Sequence, residues 1–276
     1  MGIRLGIGSL KIGTPFKSAS WSSYWTPQLK AWLTRLVAAG YTADNNYKTI
    51  YNNVILAKQA SGLLDNWGDI EYFFAAPTEA VSLLNFIKDS HNAEKLSTPT
   101  FTPNYGWTGS NNTTTKALNS KYIPSLNKTN ITRDNICISF YLYENYNTGV
   151  GAYSVYGAKQ VAGGVYLSYI PYTGYHYFGL NNAGGTYTTL IPDNSGLISI
   201  QRIGSAVKIY RNGLQVYSTT SSSTGEVDRE LYILMANTYL KSTACKMGYF
   251  AVHRAMTPEE HTAFYNNVIA PYFLFF

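Results

Sequence analysis

The stretch AVKIYRNGLQVYST, residues 206–219, predicts two β-strands joined by a tight turn. Apolar and polar side chains alternate on both sides of Asn212-Gly213. Both central positions of a type I′ hairpin turn need a positive φ, which asparagine and glycine adopt most readily. We therefore predict antiparallel strands over residues 206–211 and 214–219.

The neighbouring residues extend this hairpin into a meander. The segment 197–203 alternates with the period of a half-buried strand, and Gly204-Ser205 supplies another two-residue turn. Beyond a loop rich in serine and threonine, residues 231–235 and 246–253 are also strand-like. This order of strands predicts a mainly β domain.

A helix is expected after the last strand. Thr257 suits the N-cap, Pro258 the first helical position, and Glu260 the reciprocal arm of a capping box. Proline lacks a backbone N–H and its ring clashes with the preceding turn. We therefore expect the helix to end before Pro271.

The N-terminal part of the chain has helical signals instead. Thr26-Pro27 predicts a helix start, and apolar residues over 47–55 recur with the spacing of an amphipathic helix. Residues 70–76 predict a short strand, and Pro77-Thr78 opens another helix. Three parts are predicted: an arm at 1–25, a helical section with one strand at 26–96, and a β-sandwich with a C-terminal helix at 97–276.

The predicted arm is rich in glycine and carries alternating apolar side chains. These are Ile3, Leu5, Ile7, Leu10 and Ile12. Such a segment cannot bury itself alone, so we expect it to pair with the sheet of its own chain or of a neighbouring subunit.

The composition narrows the classes of function. Apolar residues make up 45% of the 276 residues, which suffices for a globular core, whereas charged residues make up only 13%. The surface must therefore be polar mainly through uncharged side chains, including some of the 25 tyrosines, as is typical of extracellular adhesins and virion proteins. The net charge of +6 is scattered without a basic run, so nucleic-acid binding is not expected. No apolar run is long enough for membrane insertion.

The two cysteines leave two interpretations. Cys137 and Cys245 lie in separate strand-like segments without the spacing of a zinc site. They could form a disulfide across the sandwich or remain buried free thiols. We favour free thiols, because one pair of cysteines is a weak indicator of an oxidising compartment.

The segment VKIYRNGLQVYS, followed by KMGYFAVHRAMTPEEHTAFYNNV, resembles the C-terminal half of concanavalin A-like (laminin G-like) lectin and glucanase jelly rolls. The resemblance implies a concanavalin A-like jelly-roll β-sandwich, preceded here by the helical section and the extended arm. Related laminin G-like domains often bind calcium, but no ligands can be assigned from this sequence. No other cofactor is expected.

A second resemblance rests on YFFAAPTEAVSLLN (72–85), PTFTPNYGW (99–107) and KYIPS (121–125). Together these are similar to a module of bacteriophage head and tail appendage proteins. The similarity implies a non-enzymatic structural or adhesion component of a tailed-phage virion, such as a head or tail fibre, a collar or a capsid decoration. Such a component is assembled in the host cytoplasm as an oligomer and contacts other virion proteins through its arm. The alternative is a glycan-binding lectin module that attaches to host-surface glycans.

A third possibility, a glycoside hydrolase, rests on the acids of EVDRE, residues 226–230. In jelly-roll glucanases this pattern supplies a nucleophile and an acid/base, here Glu226 and Glu230, with Asp228 as the assisting acid. In a regular strand the Cα atoms of Glu226 and Glu230 would be roughly 13 Å apart. A retaining mechanism needs carboxyl groups about 5 Å apart. We therefore predict a charged strand entry and no catalytic residues.

Tyrosines concentrate between residues 141 and 187, where there are eleven. Tyrosine on glycine-rich loops suits sugar stacking or protein contact, since the ring offers apolar area and the hydroxyl a hydrogen bond. The candidate residues for binding a glycan or a partner are Tyr172, Tyr175, His176, Tyr177 and Trp107.

Overall fold

The computed structural model describes residues 25–110, 116–146, 153–160, 164–188, 193–237 and 242–274. The helices are α1 Pro27–Ala38, α2 Asn45–Ala60, α3 Glu79–Ser82, α4 Pro124–Asn127, α5 Pro258–Ala263 and α6 Ala270–Phe273, with a π-helical segment Phe264–Ile269 between the last two. The predicted arm residues Ile3, Leu5, Ile7, Leu10 and Ile12 lie outside the described residues.

Fifteen strands are found within these ranges. They are β1 Gly68–Phe73, β2 Glu94–Leu96, β3 Thr100–Thr102, β4 Gly106–Thr108, β5 Ala117–Asn119, β6 Asn135–Leu142, β7 Tyr156–Lys159, β8 Val165–Tyr172, β9 Tyr175–Ala183, β10 Thr186–Thr188, β11 Gly196–Ile203, β12 Ala206–Arg211, β13 Leu214–Thr220, β14 Tyr232–Ile233 and β15 Lys246–His253.

The strands form two antiparallel sheets packed face to face. Sheet A has the order β13-β12-β11-β6-β15-β4-β3, with β1 also paired to β15. Sheet B has the order β10-β9-β8-β7-β14-β5-β2. The inner faces share one apolar core, to which β6 contributes Ile136, Ile138, Phe140 and Leu142. The prediction of a mainly β sandwich is confirmed.

The turns of the meander form as their residues predict. Asn212 and Gly213 have φ of 50° and 82°, and β12 and β15 have the predicted bounds. The strand expected over 231–235 is shorter, because Leu234 has φ of 67° and interrupts the extended backbone after Ile233.

The helices form a third layer on the outer face of sheet A. Apolar residues of α1, α2 and the C-terminal helices pack with Tyr249 and Ala251 of β15 in a second core. Thr26 caps α1 by accepting a hydrogen bond from the backbone of Leu29, and both arms of the Thr257 capping box are formed. The section before residue 97 also supplies β1 and β2 to the sheets, while the three-part division of the chain stays a prediction.

The prediction that the last helix ends before Pro271 is wrong. The chain passes from α5 through the π-helical segment into α6, and Pro271 lies in the first turn of α6. A first-turn residue needs no intrahelical N–H donor, so proline is tolerated there. The π segment thus shifts the hydrogen-bond register and lets the helix continue.

Two buried histidines lie near the C-terminal helix: His261 joins that helix to sheet A, and His253 bonds within sheet A. His261 donates from Nε2 to Oε1 of Gln201, 2.9 Å away, and its ring stacks on Tyr210 with 3.6 Å between centroids. The His253 Nδ1 lies 2.7 Å from the Arg254 carbonyl oxygen, so Nδ1 carries the proton and Nε2 accepts from the Ser139 hydroxyl. Burial lowers the pKa of His261 to about 3 and that of His253 well below 6.5.

We expect stability to fall with acid because of these histidines. Below pH 6.5, the unfolded chain binds protons that the folded state excludes, so their contribution is complete above pH 6.5 and is lost as the pH falls toward 3. Two pH units below 6.5, His261 should lower the free energy of unfolding by about 2–3 kcal/mol, and His253 should lower it further. Urea unfolding at pH 7.5 and 4.5 measures this loss, which should be smaller in His261→Gln. An equal loss in the variant would contradict the assignment.

Both cysteines are free and buried, as favoured from the sequence. Cys137 alternates with core-facing Ile136 and Ile138, so it faces the helical layer, whereas Cys245 belongs to the core between the sheets. The two thiols therefore lie on opposite sides of sheet A. Burial raises the pKa of Cys245 to about 12 and also raises that of Cys137.

The thiols should consequently be unreactive in the folded protein. Ellman's reagent is expected to label neither Cys137 nor Cys245 in buffer and both in urea, because the reactive species is an exposed thiolate. Adding reductant should leave the urea midpoint unchanged. A midpoint that falls with reductant would instead indicate a disulfide.

Candidate functional site

Tyrosines occupy the outer face of sheet B on β8 and β9. The odd-numbered Val165, Leu167 and Tyr169 of β8 point into the core, so Tyr166 and Tyr172 point outward. The two strands are joined by Thr173-Gly174, where Gly174 has φ of 83°. This hairpin carries the tyrosines to the edge of the sandwich.

Tyr172 and Tyr175 face each other across the end of this hairpin. They are paired in register, and their rings stack with centroids 4.7 Å apart and planes 25° from parallel. Tyr175 keeps 37% of its surface exposed. The pair therefore offers an aromatic surface at a fixed turn, with little side-chain freedom left to lose on binding.

Tyr166 and Tyr177 lie farther along the strands, where Tyr166 is half-buried and Tyr177 is buried, with 8% of its surface exposed. Their rings meet edge to face with centroids 5.9 Å apart. Gly185 leaves room for the Tyr177 ring, since a Cβ there would lie 2.2 Å from it. The Lys159 Nζ lies 4.8 Å from the centre of the Tyr166 ring. We call the outward-facing Tyr166, Tyr172 and Tyr175 the tyrosine face.

Three of the five candidate residues, Tyr177, His176 and Trp107, are buried inside the protein. His176 is 6% exposed, and its Nδ1 is 2.8 Å from the Tyr169 hydroxyl. Trp107 is fully buried, donates from Nε1 to the Ser82 hydroxyl and packs beside Phe101. As a correction to the sequence interpretation, Trp107 has no exposed ring face on which a sugar could stack. The strand that carries it has three residues, too few to reveal by periodicity which face is buried.

The acids of residues 226–230 lie on an irregular segment before β14, not on a strand. Val227 is buried in the core, and Glu226 contacts the ammonium of Lys128. The Glu230 Oε2 accepts a hydrogen bond of 2.7 Å from the Asn119 amide. Asp228 is exposed. The two outer carboxylates thus bind different partners from separate parts of the chain.

The described ranges contain no group of three or more histidine, cysteine, aspartate or glutamate side chains arranged to hold a metal. Calcium binding stays a prediction. No helix in the same ranges is long and apolar enough to cross a membrane.

A separate cleft of about 340 Å³ opens in the helical layer, between α1, α2 and the segment 84–87. Lys58 and Glu71 form a buried ion pair there. The Tyr249 hydroxyl donates to the other Glu71 oxygen at 2.7 Å, and the Lys58 Nζ lies 3.8 Å from the Trp67 ring centre. Burial lowers the pKa of Lys58, and the adjacent carboxylate opposes that shift.

The sequence interpretation missed this cleft, although its residues carried a signal. Lys58 follows Tyr51 and Val54 on the apolar face of α2, and Glu71 lies between the apolar Ile70 and Tyr72 in a fully buried strand. A charged residue at a buried position normally has a partner. The partners are far apart in sequence, so their pairing could not be predicted.

Comparisons with known proteins identify the fold only. No protein-family model matches the chain, and no curated protein matches it. A botulinum neurotoxin serotype D binding domain matches with a TM-score of 0.52 and 12% identity over 75% of this chain and 52% of that one. Domain 4 of an extracellular GH43 arabinanase from Geobacillus stearothermophilus, solved with arabinotriose, matches with a TM-score of 0.51 and 11% identity over 71% of this chain and 96% of the other.

The chain therefore has the β-sandwich fold found in these domains. It spans about half the length of the toxin domains that it matches. The serotype D domain is also known with N-acetylneuraminic acid, with a TM-score of 0.53 to this chain and 11% identity.

Proposed function

We propose that the protein is a non-enzymatic attachment module that binds glycans through the tyrosine face. The stacked pair Tyr172–Tyr175 carries this proposal, because it presents aromatic area and hydroxyl groups at a fixed hairpin end. Sugars offer C–H faces that pack on aromatic rings and hydroxyls that need hydrogen bonds. Similar sandwiches solved with arabinotriose and N-acetylneuraminic acid support a glycan as the ligand.

The role in a tailed-phage virion stays a prediction. It rests on the motif resemblance and on an arm outside the described residues. A virion adhesin that binds host glycans would combine the virion role with the attachment function proposed here.

Replacing both hairpin tyrosines should abolish glycan binding. On a glycan array, we expect the wild type to bind one group of related glycans and Tyr172→Ala/Tyr175→Ala to lose that signal, since one stacked ring contributes roughly 1 kcal/mol or more. Tyr105→Ala is the matched control, because Tyr105 is 43% exposed and lies outside the tyrosine face. Unchanged binding in the double variant would contradict the proposal, as would an array without any signal.

The proposed absence of catalysis has its own test. Neither the wild type nor Glu226→Gln should release reducing sugar from β-glucans, because Glu226 is paired with Lys128 and Glu230 with Asn119. Reducing-sugar release by the wild type that Glu226→Gln abolishes would contradict the proposal and restore the hydrolase alternative.

A further inference from the structure

The helical-layer cleft contains hydrogen-bond donors that the described chain does not use. Lys58 donates to Glu71 alone, although an ammonium has three N–H groups. Arg35, half-buried at the same cleft, donates to the backbone carbonyls of Asn85 and Phe86. These bonds leave part of its five-donor guanidinium unpaired.

One cationic group of the cleft, the Arg35 guanidinium, has no carboxylate partner among the described residues. Asp89 acts on this guanidinium only from farther away. The Glu71 carboxylate is engaged by Lys58 and Tyr249. Asp65 also lines the cleft, but it is exposed, where water screens its charge. A half-buried guanidinium without a carboxylate favours an anionic ligand.

The rest of the lining fits a hydroxyl-rich molecule. Gln28, Asn66 and Asn130 supply side-chain amides, which both donate and accept hydrogen bonds. Leu64 and Ile87 supply apolar surface. The volume of about 340 Å³ is at the lower end of the usual range for small-molecule sites, so it suits a single sugar ring.

We propose that this cleft binds a uronic acid, with its carboxylate at Arg35 and its hydroxyls at the surrounding amides. The tyrosine face lies on the opposite side of the sandwich, so this second site does not depend on the function proposed above.

D-glucuronate and D-glucose form a matched pair of probes, because they differ only in a carboxylate replacing a hydroxymethyl group. In isothermal titration calorimetry of the full chain, glucuronate should bind more tightly than glucose by a factor of about five or more. This difference is expected from the attraction of one additional charge pair in a partly solvated site. Equal affinity, or no detectable binding of glucuronate, would overturn the proposal.

Charge changes at Gln28 test whether glucuronate binds in the cleft, and they leave the buried Lys58–Glu71 pair unchanged. Gln28 is exposed in the first turn of α1, so substitution there should not unfold the chain. Gln28→Glu should weaken glucuronate binding roughly threefold or more, and Gln28→Lys should strengthen it by a similar factor. Gln59→Glu makes the same charge change on α2 outside the cleft and should have no effect.

Equal affinities in Gln28→Glu and Gln59→Glu would place any glucuronate binding elsewhere and overturn the proposal. Tyr172→Ala/Tyr175→Ala should bind glucuronate as the wild type does. A loss of glucuronate binding in that variant would assign the effect to the tyrosine face instead.

Discussion

One buried carboxylate, that of Glu71, joins the helical layer to the β-sandwich. Glu71 lies on β1, and its carboxylate binds Lys58 of α2 and Tyr249 of β15. The backbone N–H of Glu71 donates to the Asn85 side chain. Removing one partner of a buried ion pair typically costs about 3–5 kcal/mol, whereas replacing both by apolar groups can be neutral. We therefore interpret the pair as fixing where α2 sits on sheet A, more than as adding net stability.

This placement decides which surfaces remain available for binding. The helices cover the outer face of sheet A with an apolar layer that includes Tyr51, Tyr249 and Tyr272. The outer face of sheet B carries the tyrosine face, where the exposed Tyr175 stacks on the half-buried Tyr172. The attachment that we propose through sheet B is consistent with this covering of sheet A, and in the helical layer we assign ligand binding to the cleft.

Local signals predicted local structure well. Asn212-Gly213 and the Thr257 capping box depend on neighbours within a few residues, and both formed as expected. The position of Pro271 inside a continuing helix depended on the π-helical register. The burial of Trp107 depended on packing against Ser82 from another element. Such tertiary effects override local preference, so neither could be predicted from pattern alone. The Lys58–Glu71 pair was missed for the same reason.

We infer that the helices cover the outer face of sheet A while Tyr175, at the hairpin end of sheet B, reaches solvent. Hydroxyl-radical footprinting of the free protein, read out by mass spectrometry at each tyrosine, tests it most directly. The structure predicts rapid oxidation of the exposed Tyr175, slower oxidation of the half-buried Tyr172, and protection of Tyr51, Tyr249 and Tyr272, which are at most 1% exposed. Oxidation of Tyr249 or Tyr272 as fast as that of Tyr175 would contradict the account.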